Sequence, residues 1–397
     1  MALSPTLPVL VAFMVATLTA LSSSAQAATL RAGEAAATLQ ETIDLSKEGD
    51  VVEVPPGIWK GPIEITHRIT LRGTGGVIDG GGEGTTIVVD AAGTVVEKLK
   101  VRASGSNLSG LQPDSCIFLR PSAANSVIQD NHLEDCSFGI WVHTSKSAKI
   151  LRNEVIGRSE MRPTDRGNGI QLFDSSDLVV SENVVRGARD GIYISATEDS
   201  LISGNVLEDQ RYGVHYMFSY RNTLRDNTSR RNVGGFALME SRQLIVEGNL
   251  AEDNERTGIL FRDAEDCFIR HNKLLRNGQG LFFFSSVDNT IENNLLFHNE
   301  VGAKIWAGSL RNVVSNNSFV GNRQQIFYVG TSDLVLGEEK PGNYWSDYIG
   351  WDQNGDGIGD RPYKTESFSS TLVYRYPAAS MLLHSPALEM LTYMQER

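Results

Sequence analysis

GIWVHTS (139–145), GIQLFDS (169–175), GIYISAT (191–197), GVHYMFS (213–219), GFALMES (235–241), GILFRDA (258–264), GLFFFSS (280–286) and GAKIWAG (302–308) are eight versions of one heptapeptide. Their glycines are separated by 30, 22, 22, 22, 23, 22 and 22 residues. An asparagine column keeps the same beat: Asn131, Asn153, Asn183, Asn205, Asn227, Asn249, Asn272, Asn294 and Asn317. Two columns that share one period and one insertion define a true repeat. After each glycine the first and third positions are apolar, as in Ile140/Val142, Ile170/Leu172, Ile192/Ile194 and Val214/Tyr216. That alternation is the two-residue period of a strand with one face buried. Three residues before the asparagines stands another apolar column, Ile150, Val180, Ile202, Leu224, Val246, Ile269, Ile291 and Val314. Five before them stand small or amide residues, among them Asn222, Cys267, Asn289 and Asn312. Stacked identical side chains with amide ladders at the turns are what a coil of parallel strands needs. The predicted fold is therefore all-β, a parallel β-helix of about 22 residues per coil. It is right-handed by the general rule for parallel crossovers. A leucine-rich repeat has a similar period, but its Leu-x-x-Leu-x-Leu pattern is absent.

The solenoid extends upstream less regularly. Cys116 aligns with Gly139, and VVEVPPGIWKG (51–61) and IEITHRITLRG (63–73) read as first coils. Residues 28–50 form a cap, with an amphipathic helix over 32–48 that places Ala36, Leu39, Ile43 and Leu45 on one side. Such a cap would cover strand edges left unpaired at the solenoid end. The coils are assigned to 51–340, a distinct segment to 341–365 and a tail to 366–397. In the tail, PALEMLTYM (386–394) spaces Leu388, Met390, Leu391 and Met394 as a helical apolar stripe, suited to docking on a partner or to capping the open end. At the other end, residues 1–27 read as an export signal: an apolar run from Leu7 to Leu21, then Ala25-Gln26-Ala27 as the cleavage pattern.

The chain has 397 residues with 38 Gly and, by count, 24 Asn; 21 of those Asn fall between 125 and 322, inside the repeat. One long solenoid, and not two or three domains, explains both the length and the excess of turn-formers. A formal charge of −12 argues against a nucleic-acid partner. The three cysteines, Cys116, Cys136 and Cys267, cannot all pair, and none is in CxxC spacing. Cys267 stands in a buried column and reads as core.

The second and fourth positions after each glycine face outward. They read Trp141, Gln171, Tyr193, His215, Ala237, Leu260, Phe282, Lys304 and His143, Phe173, Ser195, Met217, Met239, Arg262, Phe284, Trp306. An apolar, aromatic outer face on an acidic exported chain marks a binding surface, with Tyr193, Phe282, Phe284 and Trp306 at its centre. His215 and Met217 share one coil and Met239 stacks on Met217 from the next. An imidazole with two thioethers is a soft donor set that suits Cu(I) and suits Ca²⁺ or Mg²⁺ poorly. Met161, in the insertion 158–165, would reach over this site. The rival chemistry is carbohydrate binding or cleavage. A glycosidase needs two carboxylates about 5–9 Å apart; neither outward column holds one, and the nearest pair is Glu240 with Asp263 at the following turn. Near the C-terminus, Asp352, Asn354, Asp356 and Asp360 follow the D-x-N-x-D-G opening of a calcium loop, but Tyr363 stands where the twelfth-position Glu would be. Two readings remain for it, a weak Ca²⁺ site and a metal-free turn tied by Asp hydrogen bonds.

The entry PPGIWKGPIEITHRITLRG, the 22-residue coils and the block NYWSDYIGWDQNGDGIGDRPY (343–363) together resemble the NosD family, over nearly the whole mature chain. The resemblance implies a non-enzymatic periplasmic protein of nitrous-oxide reductase maturation. Its implied partners are the membrane subunit and ATPase of an ABC transporter, a copper-chaperone lipoprotein and the reductase itself. Transiently bound copper is the implied cargo; His215, Met217 and Met239 are assigned to it on their chemistry here.

Overall fold

A computed structural model describes residues 27–110, 112–306, 308–329, 336, 342–348, 350–363, 376, 385–386 and 390. The leader read over 1–27 lies outside them except for Ala27, and the tail read over 366–397 except for Tyr376, Ser385, Pro386 and Met390. The described chain winds through three parallel sheets of 12, 13 and 13 strands. One coil shows the plan: Asp190–Ser195 lies in the first sheet, Leu201–Ser203 in the second and Val206–Glu208 in the third. The heptapeptides are the first-sheet strands, stacked in register as Ile192↔Val214, Val214↔Phe236 and Phe236↔Ile259. Their inward residues, with the column Ile150, Val180, Ile202, Leu224, Val246, Ile269 and Ile291, are fully buried. In the same core Phe261 stacks on Phe283 with ring centroids 4.4 Å apart.

The glycine column answers a close approach. A Cβ on Gly213 would lie 2.9 Å from the Gly235 carbonyl oxygen, and one on Gly258 only 2.6 Å from that of Gly280. The asparagine column forms the corner between the second and third sheets. Asn205 donates from Nδ2 to the Val180 carbonyl of the coil before (3.0 Å) and to Oδ1 of Asn227 in the coil after (2.9 Å). The same Oδ1 accepts the Asn205 backbone N–H at 3.0 Å. The arrangement recurs from Asn131 through Asn317 and continues onto Asn343. The segment read as separate from the coils thus starts as a rung: Tyr344 and Trp345 pair with Ser318 and Phe319 in the third sheet. A second ladder, not recognised from the sequence, runs along the corner between the third and first sheets, through Gln210, Asn232, Asn254, Asn277, Asn299 and Asn322.

At the N-terminal end the helix spans only Leu39–Leu45, started by a capping box between Thr38 and Glu41 and stopped at Ser46. It buries Leu39 and Ile43 as expected, but Leu45, at 59% exposure, lies past the turn that packs on the coils. Thr29–Arg31 already pairs with Val51–Glu53, so the second sheet begins before the helix. Cys116 and Cys136 form a disulfide, with Cα atoms 5.5 Å apart. Cys267 is free and buried, and burial pushes its thiol pKa up to about 12.

Asn227→Ala removes the acceptor for two Asn205 donors and the donor to the Ile202 carbonyl. About 3 kcal/mol of unfolding free energy should be lost in urea titrations; an unchanged midpoint would mean that the ladder carries no energy. Tyr216 is fully buried and its hydroxyl has no hydrogen-bond partner among the described residues. Tyr216→Phe deletes an unsatisfied donor at nearly constant shape and should raise stability by about 1 kcal/mol. A fall in the urea midpoint of that variant would show that the hydroxyl is satisfied.

Candidate functional site

The outer faces of the sheets differ in kind. On the third sheet, charges pair from coil to coil: Lys100 with Glu134 at 2.7 Å, Arg186 with Glu208 at 3.1 Å, Arg230 with Glu208 at 2.5 Å. On the first sheet, from Trp141 onward, the outward positions hold aromatic, thioether and imidazole groups with Arg262 and Lys304, and no carboxylate. Paired charges are few on this face, Asp190 with Arg211 and Arg262 with Asp263 at the adjoining turn among them, and a surface so poor in charge on an acidic protein is suited to contact.

At its middle lies a buried polar cluster. The strand Tyr212–Met217 runs between Asp190–Ser195 and Gly234–Met239. Asp190 precedes the glycine of its own coil and its side chain is fully buried. Arg211, one coil on, reaches back with two bonds, Nε to Oδ1 at 2.8 Å and Nη2 to Oδ2 at 2.5 Å. His215 Nδ1 lies 2.9 Å from Asp190 Oδ2. Burial alone would raise the Asp190 pKa, but the bonds from Arg211 and His215 outweigh it and hold the carboxyl below its usual range. Desolvation would lower the Arg211 pKa, but its bond and charge interaction with Asp190 raise it.

His215 was read as facing solvent. It does point away from the core, yet its side chain is only 8% exposed. Tyr193 meets the imidazole edge-on at 4.8 Å and Tyr212 at a tilt at 5.0 Å. Burial raises the pKa of both phenols. Gly234 makes room for this cover, because a Cβ there would stand 2.8 Å from Tyr212 Cε1. His215 Nε2, also buried, has no partner among the described residues.

Met217 and Met239 are register partners, both half-buried on the same face. Adjacent strands are about 4.8 Å apart, within the span of two flexible thioethers. Met161 lies at the corner between the third and first sheets. Its insertion is tied to earlier coils, where Arg158 bonds Asp135, Ser137 and the Ser104 carbonyl. Among the described residues no three His, Cys, Asp or Glu side chains converge on a metal position.

The other sites read from sequence are placed as follows. Tyr193 covers His215. Phe282 and Trp306 flank the Lys304 ammonium, 5.0 and 4.9 Å from their ring centroids, and Phe327 lies at 5.8 Å. Burial lowers the Lys304 pKa. Phe284 stands beyond them, 37% exposed. Toward the N-terminal end of the same face, His143 stacks between Phe118 and Phe173. Glu240 and Asp263 sit on exposed turns with left-handed backbone, outside the strand face.

At the C-terminal end Trp345 stacks between Phe319 of the core and Tyr363, at 4.3 Å from each. A cavity of about 900 Å³ opens here, lined by residues of 342–363 with Leu336. Gly359 is required beside Tyr348, whose hydroxyl would lie 2.1 Å from a Cβ at that position. Asp352 accepts the N–H groups of Gly355, Asp356 and Gly357, Asn354 that of Asp356, Asp356 that of Ile358, and Asp360 that of Gln353. All four side chains read as calcium donors hold the loop's own backbone in this way.

Asp190 and Arg211 were missed from the sequence. The repeat alignment does carry a signal, since Asp190 is the one carboxylate in a column otherwise made of Phe138, Asn168, Tyr212, Gly234, Thr257, Gln279 and Val301.

Comparison with known proteins fits this architecture. Residues 74–199 match the family model described as a right handed beta helix region, which gives the solenoid its hand. A solved family 28 exopolygalacturonase from Yersinia enterocolitica superposes with a TM-score of 0.61 over 78% of this chain and 80% of its own, at 11% identity. At that identity the likeness is one of fold alone. Residues 151–350 match the model described as "Periplasmic copper-binding protein (NosD)". A "Probable ABC transporter binding protein NosD" from Stutzerimonas stutzeri is 37% identical over 386 residues, 92% of this chain and 87% of the relative. Its namesake from Pseudomonas aeruginosa is also 37% identical, over 85% of this chain and 82% of its own. The chain belongs to the NosD family.

Proposed function

We propose that this protein works in the periplasm as the copper-binding accessory of an ABC transporter, serving assembly of the copper centres of nitrous-oxide reductase. Cu(I) is its cargo, held by His215 Nε2 with the Met217 and Met239 thioethers. The observation that carries this reading is the state of His215: Nδ1 is engaged by Asp190, while Nε2 is buried with no partner among the described residues, on the strand face that also carries the Met217–Met239 pair. An imidazole oriented through one nitrogen by a carboxylate, with the other left free, is the usual preparation of a metal ligand. The family description names copper and the periplasm, and the relatives' names point to a transporter. The Cys116–Cys136 disulfide suits an oxidising compartment. In this reading the partners are the transporter's membrane subunit and ATPase, a copper-chaperone lipoprotein and the reductase. The outward aromatic residues then form a docking face, and the protein is not an enzyme. The second and fourth positions of that face carry no carboxylate, and the nearby Asp190 is buried and paired with Arg211, which favours binding over glycoside cleavage.

Titration of the purified mature chain with Cu(I) under anaerobic conditions, against a chromophoric chelator, tests the site. One equivalent should bind, and millimolar Ca²⁺ should not compete. The double variant Met217→Leu/Met239→Leu should weaken binding by at least about tenfold, the loss of about 1.4 kcal/mol of ligand interaction. Unchanged affinity in that variant would place the copper elsewhere.

A further inference from the structure

We infer that Asp190 and Arg211 are the positioning pair of this site: together they fix the tautomer of His215 so that the lone pair stands on Nε2. The inference rests on the copper reading above for its purpose, but its geometry is independent of any metal.

Two neighbours compete for His215 Nδ1. Asp190 Oδ2 lies at 2.9 Å and Arg211 Nη2 at 3.3 Å. A guanidinium nitrogen can only donate, so the longer contact would require a lone pair on Nδ1. An ionised carboxylate can only accept, so the shorter one requires a proton there. With the lone pair on Nδ1, two acceptors would face each other at 2.9 Å in a buried site. The proton therefore belongs to Nδ1, and in its neutral form the ring carries its lone pair on Nε2.

Arg211 acts through Asp190. A carboxylate with no exposed surface stays ionised only when it is paired, and the two-point contact from Nε and Nη2 supplies that pairing while fixing the plane of the carboxyl group. The charges of the two groups cancel, so the pair orients the imidazole without adding net charge to the site. The three residues come from two coils in register, Asp190 facing Tyr212 and Tyr193 facing His215. Gly234 and Ala237 on the coil that follows keep the cluster's other flank free of long side chains.

The test uses the full mature chain labelled with ¹⁵N-histidine and free of copper. Two-bond ¹H–¹⁵N correlations of His215 report its tautomer directly, and Cu(I) competition reports affinity. Wild type should show protonated Nδ1 and unprotonated Nε2. Asp190→Asn should move the ring toward the opposite tautomer and weaken Cu(I) binding about 10–100-fold, the usual effect of losing such a carboxylate. Asp190→Glu should recover much of both. If Asp190→Asn does not fold, Arg211→Lys, which keeps the charge and loses the two-point contact, should show an intermediate tautomer population. Protonated Nε2 in the wild type, or an unaltered tautomer in Asp190→Asn or Arg211→Lys, overturns the positioning role. A wild type that has the expected tautomer and takes up no Cu(I) overturns the copper reading instead, and the two failures are separate signals in one experiment.

Discussion

The amide of one asparagine per coil governs this molecule. From Asn153 to Asn317 each Asn side chain in the first ladder reaches a carbonyl of the coil before and the Oδ1 of the coil after, while its own Oδ1 satisfies two donors, as at Asn205. All of this is buried, where an unmatched polar group costs about 1–3 kcal/mol. The ladder therefore fixes where each coil must turn, and hence the period. Changes in length fall away from its rungs. The extra residue between Gly235 and Gly258 and the insertion 158–165 both enter at the corner between the third and first sheets, after the position of the second ladder. The chain tolerates additions there because they leave the first ladder untouched.

A scaffold held in this way leaves the outer face of the first sheet free to carry function. Its strands are spaced by backbone hydrogen bonds, so side chains two positions apart or one coil apart meet at fixed separations. Asp190, Arg211 and His215 use that regularity, as do Met217 and Met239. The third sheet uses it differently, for coil-to-coil ion pairs that neutralise its surface. Two faces of one repeat thus serve different ends with the same spacing.

Much of this was legible in the sequence, because a buried column repeats its chemistry in every coil. The inward apolar residues, the first asparagine column and the glycines announce themselves by recurrence. What was not legible occurs once or breaks the count. Asn343 stands 26 residues from Asn317, so its place as a rung was hidden by the longer step. The second ladder is masked where Gln210 stands for Asn and Cys136 occupies the equivalent corner. The cover over His215 is a lateral effect: Tyr193 and Tyr212 lean across strands, and Gly234 permits it. A strand's alternation tells which way a side chain points, not what lies over it. The cysteine pairing stayed open for the same reason, since spacing alone does not show which corner residues face each other.

The central claim is that a soft, neutral donor set on this face holds Cu(I). X-ray absorption at the copper edge of the Cu(I)-loaded wild-type protein tests it most directly. The expected spectrum shows one imidazole nitrogen and two thioether sulfurs in the first shell. A shell of oxygen and nitrogen alone, or a sulfur signal that persists in Met217→Leu/Met239→Leu, would contradict it.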